Sequence, residues 1–148
     1  MKSSLGKLGV VLIIIFFFVV GCQTPVKKDE YSKGADWKYF ASTENFLVYY
    51  DTQTITRLSE NIVRVWLRWN WTEKGKLDRV KDFGKIMENL SHSKLLIEMD
   101  YVEKKDRRLS WIDYDNKGKM IDSFSSSSEW DFVTLETVGE SLYKAVCK

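Results

Sequence analysis

The sequence predicts an α+β fold: an antiparallel sheet of about five to six strands with a C-terminal helix packed on one face. Several segments alternate between apolar and polar residues, as half-buried strands do. Short polar stretches typical of turns separate these segments. A helix-start pattern appears at the end of the chain. Strands followed by a terminal helix are typical of an antiparallel sheet with the helix on one face.

The N-terminus resembles the signal of a bacterial lipoprotein. Two lysines precede an unbroken apolar run at residues 9–20, and Gly21-Cys22 follows at once. A transmembrane helix needs about 20 apolar residues, whereas a basic start, a short apolar run and a small residue are typical of a signal peptide. We expect residues 1–21 to be a signal peptide cut after Gly21, and Cys22 to be lipidated. An uncleaved anchor with a chance cysteine is the alternative.

Composition limits the function of the remaining chain. Removing the signal takes away two lysines and no acidic residue, which leaves 21 basic and 21 acidic residues. Such a balance does not favour nucleic acid as a partner. One histidine and two cysteines leave little material for a metal site or a histidine-based active site. We therefore expect no cofactor, no metal and no catalytic residue.

The domain limits follow from polarity. Residues 22–36 are polar and contain the only proline of the chain, which is typical of a flexible tether. Residues 37–148 hold the predicted domain. Gln23 follows the expected lipidated cysteine, and in Gram-negative bacteria this favours the outer membrane over the inner one.

The first three strands are predicted at residues 37–41, 46–50 and 62–71. The first two are rich in aromatic residues and flank a four-residue polar turn, which indicates a hairpin. Residues 51–60 are polar and turn-like. The third strand is the longest, and its alternation defines two faces. We expect a core face at Val63, Val65, Leu67, Trp69 and Trp71, opposite a face carrying Ile62, Arg64, Trp66, Arg68 and Asn70.

Residues 76–90 leave two interpretations open. Apolar residues recur there at helical spacing, which favours an amphipathic helix. Gly84 lies inside the pattern and weakens a helix, so a loop is the competing interpretation.

A three-stranded meander follows at residues 93–102, 107–114 and 119–125. Its second turn, Asp115-Asn116-Lys117-Gly118, superficially resembles a calcium loop. However, Lys117 and Phe124 occupy positions where calcium ligands are needed, so we expect a hairpin turn. Thr137 and Glu140 then have the spacing of a capping box, which begins the C-terminal helix.

Seven short stretches, in this order and spacing, resemble the surface-adhesin protein E family of small bacterial lipoproteins. They are Trp37-x-Tyr39-Phe40, Tyr49-Tyr50-Asp51, Val65-Trp66, Leu96-x-Glu98-x-Asp100, Tyr114-Asp115-x-x-Gly118, Ser128-x-Trp130 and Val138-Gly139-Glu140-x-Leu142-x-x-x-Val146-Cys147. The resemblance covers residues 37–148 and implies an antiparallel sheet with a C-terminal helix. It also implies a surface adhesin that binds host matrix and serum proteins and forms a homodimer.

One departure from the family concerns a disulfide. The resemblance implies a cysteine after the Glu-x-Asp stretch, paired with the cysteine near the C-terminus, but Tyr101 stands at that place. Cys147 is then left without that bridge, which would close a loop of about 46 residues and contribute about 4 kcal/mol. We expect a packing contact between Tyr101 and the C-terminal helix to replace part of it.

Tryptophan and arginine on one strand face suggest a binding surface. Trp66 shares its face with Arg64 and Arg68, and such residues dominate protein interfaces. One helix cannot cover both faces of a sheet, so this face is either a protein-binding or dimer surface or is covered by loops or by residues 76–90. The leading interpretation is a non-catalytic, membrane-anchored adhesin-like lipoprotein of the outer membrane. The alternative is a periplasm-facing lipoprotein that binds another envelope component.

Overall fold

The computed structural model describes residues 34–146. Four predicted features lie outside the described residues: the signal peptide with Gly21, the expected lipidation site Cys22, most of the tether at 22–36, and Cys147.

Residues 34–146 form one antiparallel sheet of eight strands, two α-helices and a short 3-10 turn. The order of strands in the sheet is β1-β2-β4-β5-β6-β7; β3 pairs with β4 and β8 pairs with β6. The bounds are β1 Trp37–Ser42, β2 Phe46–Asp51, β3 Thr56–Arg57, β4 Ile62–Trp71, α1 Glu73–Phe83, the 3-10 turn Lys85–Met87, β5 Leu90–Asp100, β6 Lys105–Asp115, β7 Met120–Phe124, β8 Asp131–Phe132 and α2 Val138–Val146.

The prediction of five to six strands was too low. The six predicted strands all form, and β4 has the predicted bounds. The two missed strands, β3 and β8, are two residues long each. Such short segments show no alternation, and they form because they pair with the exposed ends of the long strands β4 and β6.

The core lies on the predicted face of β4. Val63, Val65 and Leu67 are buried and stand opposite Met99, Ile97 and Leu95 of β5. Helix α2 packs on these strands through Leu142 and Val146, which belong to the same buried cluster. Because buried apolar area stabilises by about 25 cal/mol per Å², this contact holds α2 on the sheet.

The capping box of α2 forms with a shift of one residue. The backbone N–H of Glu140 donates to Thr137 Oγ1 at 3.3 Å. The Glu140 carboxylate accepts from the backbone N–H of Glu136 at 2.7 Å, rather than from the N–H of Thr137 as in the standard motif. Both contacts satisfy donors near the start of α2.

Helix α1 differs from the prediction over 76–90. It begins earlier because Thr72 caps it and accepts a hydrogen bond from the N–H of Gly75, and it ends at Gly84, whose φ of +83° suits glycine. Leu77 and Phe83 of the pattern do not form its contact face, since they are 70% and 55% exposed, whereas Met87 and Leu90 lie beyond α1 and are buried. The helix contacts the sheet through Gly75 and Arg79 instead.

Arg79 belongs to a polar network beneath α1. Its guanidinium donates to Asp113 Oδ2 at 2.8 Å and lies 4.0 Å from the centre of the Phe83 ring. Asp113, 1% exposed, also accepts from the Ser93 hydroxyl and from Trp111 Nε1 at 2.7 Å. Hydrogen bonds of this kind allow a carboxylate to stay buried. Because Arg79 contacts residues of the core face, α1 and α2 lie on the same side of the sheet.

The turn at 115–118 is a hairpin turn, as predicted. Asp115 Oδ1 accepts from the backbone N–H groups of Lys117 and Lys119, both at 2.8 Å, and Gly118 has a φ of +78°. In residues 34–146 there is no group of three acidic, histidine or cysteine residues that could hold a metal ion. Within the same residues, no helix has the length and apolar character needed to cross a membrane.

Candidate protein-binding face

The outer face is the side of the sheet opposite the core. It contains Arg64, Trp66 and Arg68 of β4, and each is half-buried. Neither of the two described α-helices covers it, since both pack on the core face. The predicted alternative that residues 76–90 cover the second face is therefore wrong. These residues form α1 and the 3-10 turn, and α1 packs beneath Trp71 and Trp111 of the core face. The other alternative, cover by loops, is met in part because the loop residue Trp130 lies over Arg107.

Arg64 lies in a row of charged side chains that crosses three strands. Its guanidinium donates to Glu98 Oε1 at 2.5 and 3.0 Å. Arg107 donates to Glu98 Oε2 at 2.8 Å and lies 4.5 Å from the centre of the Trp130 ring. The two arginine side chains are 40% and 31% exposed, whereas that of Glu98 is 3% exposed. Each arginine is therefore held in place while part of its side chain remains accessible.

Glu98 keeps its charge in this row. Burial opposes its ionisation, but hydrogen bonds and charges from Arg64 and Arg107 outweigh that effect and lower the pKa of the carboxyl below its ordinary value. One carboxylate thus orients two arginines.

Trp66 forms the apolar centre of the outer face. It stands opposite Leu96 of β5, which in turn stands opposite Ser110 of β6. Its backbone N–H donates to Thr54 Oγ1 at 3.3 Å, which joins β4 to the loop before β3. The indole therefore lies between the charged row of Arg64 and the row of Arg68.

Arg68 lies in the next row, beside Lys94 on β5. Arg68 Nε donates to Asn70 Oδ1 at 2.8 Å, and the Lys94 ammonium lies 5.4 Å from the centre of the Tyr114 ring. His92 stacks on that ring with centroids 5.0 Å apart. Burial, and then the charges of Arg68 and Lys94, lower the pKa of His92, so this histidine remains neutral at neutral pH.

The two rows together give the centre of the outer face a positive charge. The two rows contain four cations and one carboxylate. The cations are Arg64, Arg68, Lys94 and Arg107, and the carboxylate is Glu98. Sequence reasoning found the three residues on β4 but missed Lys94 and Arg107 as members. Alternation along β5 puts Lys94 and Glu98 on one face, but only the registers of β5 with β4 and β6 place them beside the arginines.

Comparison with known proteins identifies a family. The Surface-adhesin protein E family matches residues 37–148. No curated protein and no solved structure matches the chain. The family match supports an adhesin-like, non-enzymatic protein that acts at the cell surface and binds a protein partner. Since the matched residues are most of the chain, the protein belongs to the surface-adhesin protein E family.

Proposed function

We propose that this protein is an outer-membrane lipoprotein, anchored through lipidated Cys22, whose outer face binds an acidic region of a partner protein. The observation that carries the proposal is the outer face itself. It combines half-buried Trp66 with four cations and one carboxylate in the rows on either side of it, and neither described α-helix covers it.

The residue types support a protein as the partner. Tryptophan, tyrosine and arginine dominate protein interfaces because each combines a large apolar surface with polar groups. The hydrogen bonds to Glu98 and Asn70 hold Arg64, Arg107 and Arg68 in place, which lowers the entropy lost on binding. Excess positive charge favours acidic groups on the partner and speeds encounter.

Charge reversal on the outer face tests the proposal. We expect Arg68→Glu with Lys94→Glu to weaken binding to immobilised matrix and serum proteins at least tenfold, with a smaller salt dependence. The control is Lys81→Glu with Lys85→Glu, which makes the same charge change at exposed positions in α1 and the following 3-10 turn. Both variants must retain the circular dichroism and thermal midpoint of the original protein. Equal loss of binding in both variants contradicts the proposal, and so does unchanged binding in both.

The anchor is tested separately. We expect mass spectrometry of the membrane-extracted protein to show an acylated N-terminal Cys22 and no residues 1–21. Cys22→Ala should leave the signal uncleaved and unacylated. An unprocessed original chain would contradict the anchor, whereas binding by the outer face is decided by the charge-reversal variants.

Surface exposure separates the two candidate functions. Protease added to intact cells should remove the domain if it faces outward, and should spare it if it faces the periplasm. The family match favours the outward position. Protection on intact cells, with digestion after lysis, would favour the alternative of a periplasm-facing lipoprotein that binds an envelope component.

A homodimer would use the same outer face when no partner protein is bound. Analytical ultracentrifugation tests this: the Arg68→Glu, Lys94→Glu variant should sediment as a monomer at concentrations where the original protein is dimeric. If the original protein is monomeric, this contradicts the homodimer but not the binding of a partner protein by the outer face.

A further inference from the structure

A pocket of about 340 Å³ lies on the helix side of the sheet, between α1 and strands β6 and β7. Arg79 of α1 forms one wall, and Arg108 and Trp111 come from β6. Asp122 and Phe124 come from β7, and the lining is completed by Asp113, Ser110, Ser123 and Ser128. The volume is at the lower end of small-molecule sites. This pocket is on the opposite side of the sheet from the outer face, so it is a separate site.

The register of β6 and β7 gives the pocket an apolar centre and polar ends. Trp111 stands opposite Phe124, and the next row places Asp113 opposite Asp122. Arg108 lies one row further in the other direction, since it pairs with Ile97 while Trp111 pairs with Leu95. Rows two residues apart are about 7 Å apart. An aromatic pair is therefore flanked by a carboxylate at one end and a guanidinium at the other.

Trp111 is fixed in position before any ligand arrives. Its indole N–H donates to Asp113 at 2.7 Å, and its ring meets the Trp69 ring edge-on at 5.0 Å. The Arg79 guanidinium lies 5.6 Å from the ring centre. A ring held by three neighbours offers a flat apolar surface at little entropic cost.

The charges in the pocket are balanced. Arg79 is neutralised by Asp113, whose carboxylate oxygens accept hydrogen bonds within the buried network. Arg108 makes no salt bridge within residues 34–146, although its charge acts on the carboxyl of Asp106, and Asp122 accepts from the backbone N–H of Ser123. The pocket thus offers a donor group at Arg108 and an acceptor group at Asp122. A strongly anionic ligand would meet Asp122, and a strongly cationic ligand would meet Arg79 and Arg108.

We propose that this pocket binds one pyranose ring of a glycan, with an apolar ring face against Trp111 and Phe124 and its hydroxyls on Arg108 and Asp122. A sugar ring is uncharged, its hydroxyls both donate and accept, and its C–H groups form an apolar face. These are the properties that the lining matches. A strongly charged peptide of either sign matches less well, because it would meet a side chain of like charge at one end of the pocket.

The test uses saturation-transfer NMR on the full mature protein in detergent. The probes are the methyl pyranosides of glucose, galactose, mannose and N-acetylglucosamine. We expect at least one of them to bind the original protein, and Phe124→Ala or Asp122→Asn to weaken that binding at least fivefold. The control is Phe132→Ala, which removes a 72% exposed aromatic side chain on β8, outside the pocket lining, and should leave binding unchanged.

Several results would overturn this proposal. The first is that no probe binds the original protein. The second is that the Phe124→Ala and Asp122→Asn variants bind as well as the original protein. The third is that the Phe132→Ala control loses as much binding as the pocket variants. Binding of a tetra-aspartate peptide in place of the sugars, with the same sensitivity to Phe124→Ala, would also overturn it. The Arg68→Glu, Lys94→Glu variant should bind the sugar normally, so failure of the outer-face proposal is distinguishable from failure of this one.

Discussion

Gly75→Ala is expected to destabilise this protein, although glycine is normally the worse helix residue. Gly75 is buried in the first turn of α1, beside the turn between β1 and β2. A Cβ added there would overlap the carbonyl oxygen of Asn45 and would lie 2.9 Å from both its carbonyl carbon and Trp71 Cε3. Two of these three atoms belong to backbone, so the overlap cannot be relieved by rotating a side chain.

The magnitude follows from two opposed effects. Alanine in place of glycine in a helix gains up to about 1 kcal/mol. Overpacking in a closed site lowers the free energy of unfolding by about 1–3 kcal/mol. Since the Asn45 backbone cannot rotate away, we expect Gly75→Ala to lie at the upper end of this range. The helix start is also tied to the turn, because Thr72 donates from its backbone N–H to Asn45 O at 2.9 Å and from its hydroxyl to Glu44 O at 2.8 Å. We expect a net loss of about 2 kcal/mol.

Urea unfolding followed by circular dichroism measures this effect. Gly75→Ala should lower the midpoint with an unchanged slope, which marks a change in stability alone. The control is Lys81→Gly at an exposed position of the same helix, which should cost about 1 kcal/mol by propensity. A higher midpoint for Gly75→Ala would refute the close approach of α1 to the turn.

Three further predictions concern the buried network, the charged row and the missing disulfide. Arg79→Met should lower the free energy of urea unfolding by about 3 kcal/mol, because Asp113 would be buried without its cation. Adding Asp113→Asn to this variant should recover part of the loss, and additive losses from the two substitutions would contradict the pairing. Because the pKa of Glu98 is lower in the folded protein, its carboxylate stabilises the fold at pH values above the unfolded pKa of about 4.3. This stabilisation is lost as the pH falls through the pKa of the folded state. Glu98→Gln should therefore lower the thermal midpoint at pH 7 and make the midpoint fall less steeply below about pH 4.5 than in the original protein. Parallel plots of midpoint against pH for the two proteins would contradict this. Tyr101 packs against the cluster that contains the α2 residues, and its hydroxyl accepts from Arg57 at 3.2 Å. Tyr101→Ala should cost about 2–3 kcal/mol and Tyr101→Phe about 1 kcal/mol; an unchanged Tyr101→Ala variant would count against Tyr101 as a partial substitute for the bridge.

Long regular patterns in the sequence predicted their elements well. The alternation along β4 gave both its bounds and its buried face, because ten successive residues reported the same period. The capping pattern located the start of α2 for a similar reason, since Thr137 and Glu140 act within one turn. Both signals are local and need no knowledge of the rest of the chain.

Helix α1 shows where such reasoning fails. Its apolar spacing suggested a contact face that includes Leu77, yet Leu77 is exposed and the contact is made by Gly75 and Arg79. A glycine without a side chain and a charged arginine carry no apolar signal. Their role depends on Asn45 and Asp113, which are 30 and 34 positions away along the chain.

The sequence by itself determined which residues alternate on each strand, where the last helix begins and which family the chain resembles. Tertiary structure alone decided the register in which neighbouring strands pair and the position of β4 between β2 and β5. That pairing places Glu98 between Arg64 and Arg107 and sets Trp111 opposite Phe124. The physical reason is that side-chain alternation is a property of one strand, whereas a binding face or a pocket is made by registers between strands that are distant in the chain.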